Sequence, residues 1–580
     1  VTTSRTAAGF RLSLTIVALT LFAGCNVAPK VEPATLVLTN GKIVTVDPDR
    51  PEAQALAVVG DRIVAVGSNR EIRPYIGSRT EVIDLGGRLA IPGFIEGHGH
   101  FMSIGNSLMI LDLTRARSWE EIVEIVAAAV ELAAPGEWIV GRGWHQDKWD
   151  SIPADAVDKV PRHHQLSAVS PANPVYLTHA SGHAAFVNAK ALELAGIGRN
   201  TPDPAGGTIV RDAQGEPTGL LRERAQGLVG RVMARDEARR SPEEREARLR
   251  RAVELAGEEL LRNGVTSIHD AGVSFATVDL YHRLAEDGEL PVRIYAMVNE
   301  SNDELEKNLA RYFVIGAGDN RLTVRAIKRQ IDGAMGSHGA WLLEPYADLP
   351  ATSGLALVPP EELARTARLA LQHGYQLNTH AIGDRANREV LDVYELAFRG
   401  HVAAEDPRWR IEHAQHIDPA DIDRFKELGV IASMQGVHAT SDGSWIEDRL
   451  GKERTQATSY LWRTLLDRGI IVTNGTDAPV ENVDPIASFH ASVTRRLTDG
   501  TAFMPEQRMT REEALKSYTI NNAYAAFEEE LKGSLTPGKL ADIVVLSKDI
   551  MTVPDEEILA ARVLYTILGG KVVYKADTAR

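Results

Sequence analysis

Ile91-Pro92-Gly93-Phe94-Ile95-Glu96-Gly97-His98-Gly99-His100 is the stretch from which the rest of the chain can be read. An apolar run enters it, Pro92-Gly93 interrupts that run, and His98 and His100 close it at positions i and i+2. Alternate side chains of an extended segment point the same way. The two imidazoles therefore share a face and can chelate one divalent ion. A His-x-His pair alone is a weak signal, and the Pro-Gly-Phe prefix on an apolar strand sharpens it.

Outward from this stretch the chain alternates. Amphipathic helices are expected at 118–134, 241–263, 360–373, 384–399 and 419–428. Short apolar runs lie at Val265–His269, Val292–Val298, Leu322–Lys328, Gln376–His380, Trp409–His413, Val430–Met434 and Ile470–Asn474. With Leu89–Ile95 as the first strand, these predict an α/β fold, a (β/α)8 TIM-like barrel. That fold carries its chemistry at the C-terminal ends of its strands. No glycine-rich phosphate turn follows any run, which disfavours a doubly wound sheet. Both ends of the chain read as short strands, at 36–46, 55–66, 542–546 and 564–574. The expected organisation is a composite β-sandwich domain from 35–91 and 520–577, a barrel from 92–113 and 226–519, and an inserted α+β subdomain at 114–225 that caps the active site.

Charge and cysteine usage narrow the function. The 580 residues carry 64 Lys+Arg against 79 Asp+Glu, a net charge of −15, with the basic residues scattered. Such a surface does not grip a polyanion, so nucleic acid is not an expected partner. The single cysteine excludes a disulfide framework, a Cys-rich zinc site and an iron–sulfur cluster. Any metal must be held by nitrogen and oxygen.

That cysteine, Cys25, follows a distinctive segment. Arg5 and Arg11 precede an uncharged apolar run, Leu12–Gly24, too short to span a bilayer. Residues 1–24 thus read as a signal peptide. Leu21-Phe22-Ala23-Gly24-Cys25 resembles the lipobox of bacterial lipoproteins, which implies lipidation of Cys25, a tether at 25–34 and a membrane partner reached through the lipid anchor. The implied location is the bacterial cell envelope, periplasmic or outer-membrane, because Asn26 is not Asp.

Pro92-Gly93-Phe94-x-x-Gly97-His98-x-His100 resembles the metal-binding opening of the amidohydrolase superfamily. Gly141-Arg142-Gly143-Trp144, Ser181-Gly182-His183-Ala184-Ala185-Phe186-Val187-Asn188, Gly264-Val265-Thr266-Ser267-Ile268-His269-Asp270 and Gly533-Ser534-Leu535-Thr536-Pro537-Gly538-Lys539-Leu540-Ala541-Asp542 are similar to its YtcJ-like, amidohydrolase 3 branch. That branch includes N-substituted formamide deformylases. The resemblance implies further ligands: His380 in Asn378-Thr379-His380 for the fifth strand, His413 in Glu412-His413-Ala414 for the sixth, and Asp477 in Gly475-Thr476-Asp477 for the eighth. Asp477 would also be catalytic, holding the attacking water and passing its proton to the leaving group. Lys328, in Ile327-Lys328-Arg329-Gln330-Ile331-Asp332-Gly333, matches a fourth-strand lysine that dinuclear members carry as a carbamate bridging two metals. Arg329 and Gln330 are polar where that strand is usually apolar, which predicts weaker burial there. Trp144, His183, Glu223, Gln435 and His438 are expected to line the substrate pocket, and His416 to neighbour the ligands without joining them.

The implied chemistry is hydrolysis of a C–N bond in a small molecule, an amide of an N-acyl or N-formyl compound, with one or two divalent ions and zinc favoured. A cyclic amidase or heterocycle deaminase would use the same centre, and a surface lipoprotein binding its ligand without catalysis is the reading from another class. A homo-oligomer is compatible with the sequence.

Overall fold

The computed structural model describes residues 31–577, except 147, 148, 154, 155, 158, 159, 181, 183 and 400–405. The readings of Cys25, of the signal and of His183 therefore lie outside the described residues.

Eight parallel strands follow one another in chain order around a barrel: β1 (Phe94–Gly99), β2 (Val265–Val273), β3 (Arg293–Val298), β4 (Leu322–Gln330), β5 (Gln376–Ala381), β6 (Arg410–His413), β7 (Ile431–Ser433) and β8 (Val472–Thr473). Each pairs in parallel with the next, from β1 with β2 to β7 with β8. Between β8 and β1 there is no regular ladder. Two bonds at the seam bring them together: Gly97 N–H donates to the Asn474 carbonyl (3.0 Å) and Asp477 N–H to the His98 carbonyl (2.9 Å). Helices join the strands, for example Pro242–Arg262 before β2 and Pro360–His373 before β5. The first of these opens on Ser241, whose hydroxyl and the Glu244 side chain satisfy each other's backbone N–H groups.

The Leu89–Ile95 run is not one strand. Leu89–Pro92 belongs to a six-stranded sheet, antiparallel to Ile543–Leu546 and parallel to Lys42–Val44. After Gly93 the chain turns into β1. Gly93 donates its N–H to the Asp542 carbonyl, and a Cβ there would lie 2.3 Å from the Thr266 hydroxyl oxygen. Only glycine fits so close to β2, so the Pro92-Gly93 break is the joint between β layer and barrel. Strands from both chain ends share that sheet, and a four-stranded sheet of Leu36–Thr39, Ala55–Val59, Arg62–Gly67 and Glu81–Asp84 packs with it. Arg293 at the start of β3 reaches out of the barrel to Asp542, with two bonds of 2.7 and 3.0 Å. This buried pair ties the barrel to the β layer.

A second six-stranded sheet lies between β1 and β2 in sequence. It begins at Leu111–Asp112, a little earlier than the expected 114, and continues through Ile139–Trp144, Val175–His179, Ala184–Val187, Gly207–Arg211 and Pro217–Glu223. Among the described residues no helix is long and apolar enough to cross a membrane.

Candidate metal centre and active site

The site is built at the C-terminal ends of the barrel strands. His98 is the penultimate residue of β1 with its ring buried, and His100 is the residue before the helix Phe101–Ser107. Across the seam, Asp477 Oδ1 stands 3.1 Å from His100 Nε2 and 3.6 Å from His98 Nε2. These three form one cluster able to hold an ion, and His413, His438 and Asp477 form another. Asp477 is common to both. The His413 ring lies 4.6 Å from that of His98 and 4.5 Å from that of His380. Lys328 projects from β4 into the same place, its Nζ 3.3 Å from His98 Nε2.

A second layer of side chains holds these groups. His98 Nδ1 pairs with the Glu412 carboxylate, which leaves Nε2 turned towards Lys328 and Asp477. Glu412 is itself held by Arg410 (2.7 Å) and by the Ser433 hydroxyl (2.8 Å). Gln435 Oε1 accepts from His413 Nδ1 at 2.8 Å, which fixes that tautomer. Asp332 takes N–H bonds from Trp341, Ile382 and Gly383, and lies 3.4 Å from His380 Nε2. Two of the central residues have backbones in the left-handed region, His413 at φ 73° and Asp477 at φ 59°. Such strain in non-glycine residues concentrates where function requires a particular side-chain direction.

Electrostatics follow from this packing. Burial, with the Lys328 ammonium beside it, pulls His98 down to about 4, so the imidazole is neutral near pH 7. Burial and the neighbouring His380 and His98 rings push His413 well below its ordinary value. Burial alone would raise Asp477, but His100, His98 and His413 hold it well below the carboxylate range. Glu412 is likewise held down, against its burial, by Arg410 and His98. Burial also lowers Lys328, opposed by Glu412 and Asp477. Neutral imidazoles and an ionised carboxylate are the protonation states that coordinate a divalent cation.

Whether the residues fit a metal can be tested on the atoms. His380 Nε2 and His438 Nε2 are buried with no hydrogen-bond partner among the described residues, and Asp477 Oδ1 faces the His100 and His98 rings at 3.1 and 3.6 Å. Unsatisfied buried polar atoms cost about 1–3 kcal/mol each, and a divalent cation would satisfy several together. The donors are nitrogen and oxygen without thiolate. They fit.

The sequence-derived residues divide accordingly. His98, His100, Lys328, His413 and Asp477 converge. His380 is at hand but joins neither three-residue cluster, whereas His438, expected only in the pocket wall, does join one. Gln435 acts on His413. His416 is bonded to the Ser459 hydroxyl (2.9 Å), away from the cluster. Two expectations are corrected. Trp144 is buried in the core of the inserted sheet among Trp149 and Phe186, its indole N–H donating to the Leu177 carbonyl. A side chain so enclosed does not touch substrate. Glu223 is exposed at the end of Pro217–Glu223, outside the cavity wall. Arg329 also departs from expectation, since it is buried through bonds to Thr366 and Asn302 on the helix side of β4. Sequence reading missed Glu412, Arg410 and Asp332. A signal existed for the first two: they stand at i and i+2 on β6, on either side of Ile411.

Beside Asp477 lies a cavity of about 920 Å³ between the barrel mouth and the inserted sheet. Ala478 to Val483 line it, as do Asp112, Arg142, His145 and His179 of the inserted sheet and its loops. Asp442 in this wall receives the Tyr460 hydroxyl, and burial pushes its carboxyl up to about 6.

Fold and site define a barrel of the metal-dependent hydrolase kind, with His/Asp groups that could hold an ion. The "Amidohydrolase family" model matches residues 81–574, and the chain belongs to that family. It acts as a metal-dependent hydrolase on C–N bonds. It is 35% identical to "Protein LONG AFTER FAR-RED 3" of Arabidopsis thaliana, covering 93% of this chain and 92% of that one. It is 31% identical to "Putative amidohydrolase YtcJ" of Bacillus subtilis (92% and 98% covered) and 29% identical to "N-substituted formamide deformylase" of Arthrobacter pascens (93% and 98%). An uncharacterized metal-dependent hydrolase from Pyrococcus furiosus superposes with a TM-score of 0.70 at 29% identity, covering 89% of this chain and 100% of that one.

Proposed function

We propose that the protein hydrolyses an amide of an N-acyl or N-formyl compound. The observation that carries this is Asp477. Its buried, ionised carboxylate is shared by the two ion-holding clusters and stands at the edge of the cavity. His98, His100, His413 and Asp477 would hold the ion, with His380 and His438 within reach, and zinc is the favoured metal for so many imidazoles. When bound, the metal lowers the pKa of water and polarises the scissile carbonyl. Glu412 keeps His98 in one tautomer, and Gln435 does the same for His413. Asp477 takes the proton of the attacking water and delivers it to the departing nitrogen, so the amine leaves neutral. The 29% identity to a formamide deformylase supports the substrate class.

Lys328 is buried with its Nζ 3.3 Å from His98 Nε2, and as a carbamate it would offer oxygen donors to a second ion. The neutral amine would add carbon dioxide and release one proton; native mass spectrometry in bicarbonate, with Lys328→Arg as control, tests for that adduct. The lipid anchor at Cys25 and an envelope location remain part of the proposal, resting on the sequence, and a Cys25→Ala variant that still fractionates with membranes argues against them. For the reaction, zinc- or manganese-loaded protein is offered N-formyl, N-acetyl and longer N-acyl amides. Amine release that disappears in Asp477→Asn supports it, and no turnover with either metal overturns it.

A further inference from the structure

The cavity wall holds one cation whose surroundings do not explain it. Arg142 lies on Ile139–Trp144, in register with Asp112 on the neighbouring strand, and lines the cavity. Its guanidinium makes no hydrogen bond and no ion pair with any described residue. Asp112 acts on it only at a distance, and burial draws Arg142 below the ordinary arginine range. The other charges of the wall have partners. Both Thr114 N–H and its hydroxyl donate to Asp112, and Asn263 and Arg262 bond Glu259. Asp442 has Tyr460, and Arg449 has Asp348 and the Gly336 carbonyl. Glu481, half-buried beside exposed Val480, is the exception among them.

The position of Arg142 is fixed by its neighbour. Gly143 has φ 96°, and a Cβ there would come within 2.4 Å of the Thr114 methyl. The strand end is thus pressed against the Asp112–Thr114 turn, and the arginine is carried out over the cavity. A half-buried guanidinium has lost part of its hydration and offers a planar fork of donors, a match for a carboxylate. Ala478, next to Asp477, lines the same cavity, so a molecule held by Arg142 shares that space with the metal centre's edge. Ile104, Leu108 and Val483 supply apolar wall to it.

We propose that Arg142 binds a carboxylate of the substrate, so that the preferred substrates are N-acylated amino acids and not neutral amides. This rests on the amidase reading above and adds a substrate class to it. The test uses N-acetyl- and N-formyl-phenylalanine in both configurations, together with their carboxamides, on metal-loaded wild type, Arg142→Met and Arg142→Lys. Wild type is expected to favour an acid over its carboxamide. Arg142→Met should lower kcat/KM for the acid by about 100-fold, the usual scale for removing one partner of a desolvated charge pair. The carboxamide should change less than about threefold, and Arg142→Lys should fall between. An acid-to-carboxamide ratio that Arg142→Met leaves unchanged overturns the proposal, whatever happens to the absolute rates. If no compound is hydrolysed by wild type, the amidase reading has failed, and calorimetric titration with the same acids decides this one separately. Binding to wild type that is lost in Arg142→Met and absent for the carboxamide supports it. Binding equal in both proteins, or none in wild type, overturns it.

Discussion

The barrel mouth and the two-ended β layer are both buried, yet they are made of different material. In the β layer, Leu36, Leu38, Ile43, Leu56, Ile543, Val545 and Ile567 pack against one another with almost no polar atom between them. At the mouth, burial falls on Glu96, His98, Lys328, His380, Glu412, His413 and Asp477. The first arrangement gains free energy from apolar area removed from water. The second gives some up, because each ionisable group must be desolvated and then matched by a partner. Burial alone therefore says little about what a residue is for. A buried Ile543 is explained by its neighbours, whereas Asp477 buried among His98, His100, His413 and His438 is explained by something these groups are meant to hold together.

Substitutions in the two regions should separate stability from function. The largest effect is expected for Asp477→Asn: kcat down about 10²–10⁴-fold, the range for losing a positioned proton carrier. Its thermal midpoint should stay close to that of wild type, as calorimetry would record. Next, Ile543→Ala should remove about 2–5 kcal/mol of stability, measured by denaturant unfolding. Activity per folded molecule should not change. Equal loss of activity and stability in both variants would erase the distinction between the regions. Glu412→Gln is intermediate. It keeps the shape but weakens the hold on His98, and metal affinity should fall about 10–100-fold by competition with a chelator. The smallest effect belongs to Val573→Ala on an exposed strand position of the β layer, within about 0.5 kcal/mol.

Much of this was legible in the chain itself. Strand periodicity exposed His98 and His100 as a pair, and helix–strand alternation announced the barrel. The resemblance supplied Lys328, His380, His413 and Asp477, which no local pattern distinguishes from ordinary core or capping residues. The misreadings have physical reasons. Leu89–Ile95 looked continuous because both halves are apolar, although they serve different sheets. Trp144 looked like a pocket residue because its motif borders the cavity, but its position on the strand turns it into the inserted core, and Arg142 lines the cavity instead. Arg329 pointed to weaker burial because sequence does not show Thr366 and Asn302 waiting on the helix side. Asp332 was missed because its three N–H donors come from residues 9 to 51 positions away.

The central claim is that the barrel mouth holds a catalytic divalent ion. The most direct test is elemental analysis of purified protein after zinc loading and exhaustive dialysis, wild type against a His98→Ala/His100→Ala double variant of equal thermal stability. At least one zinc per wild-type chain, and a small fraction of that in the variant, is the predicted result. No retained zinc in wild type, or the same content in both proteins, would contradict it.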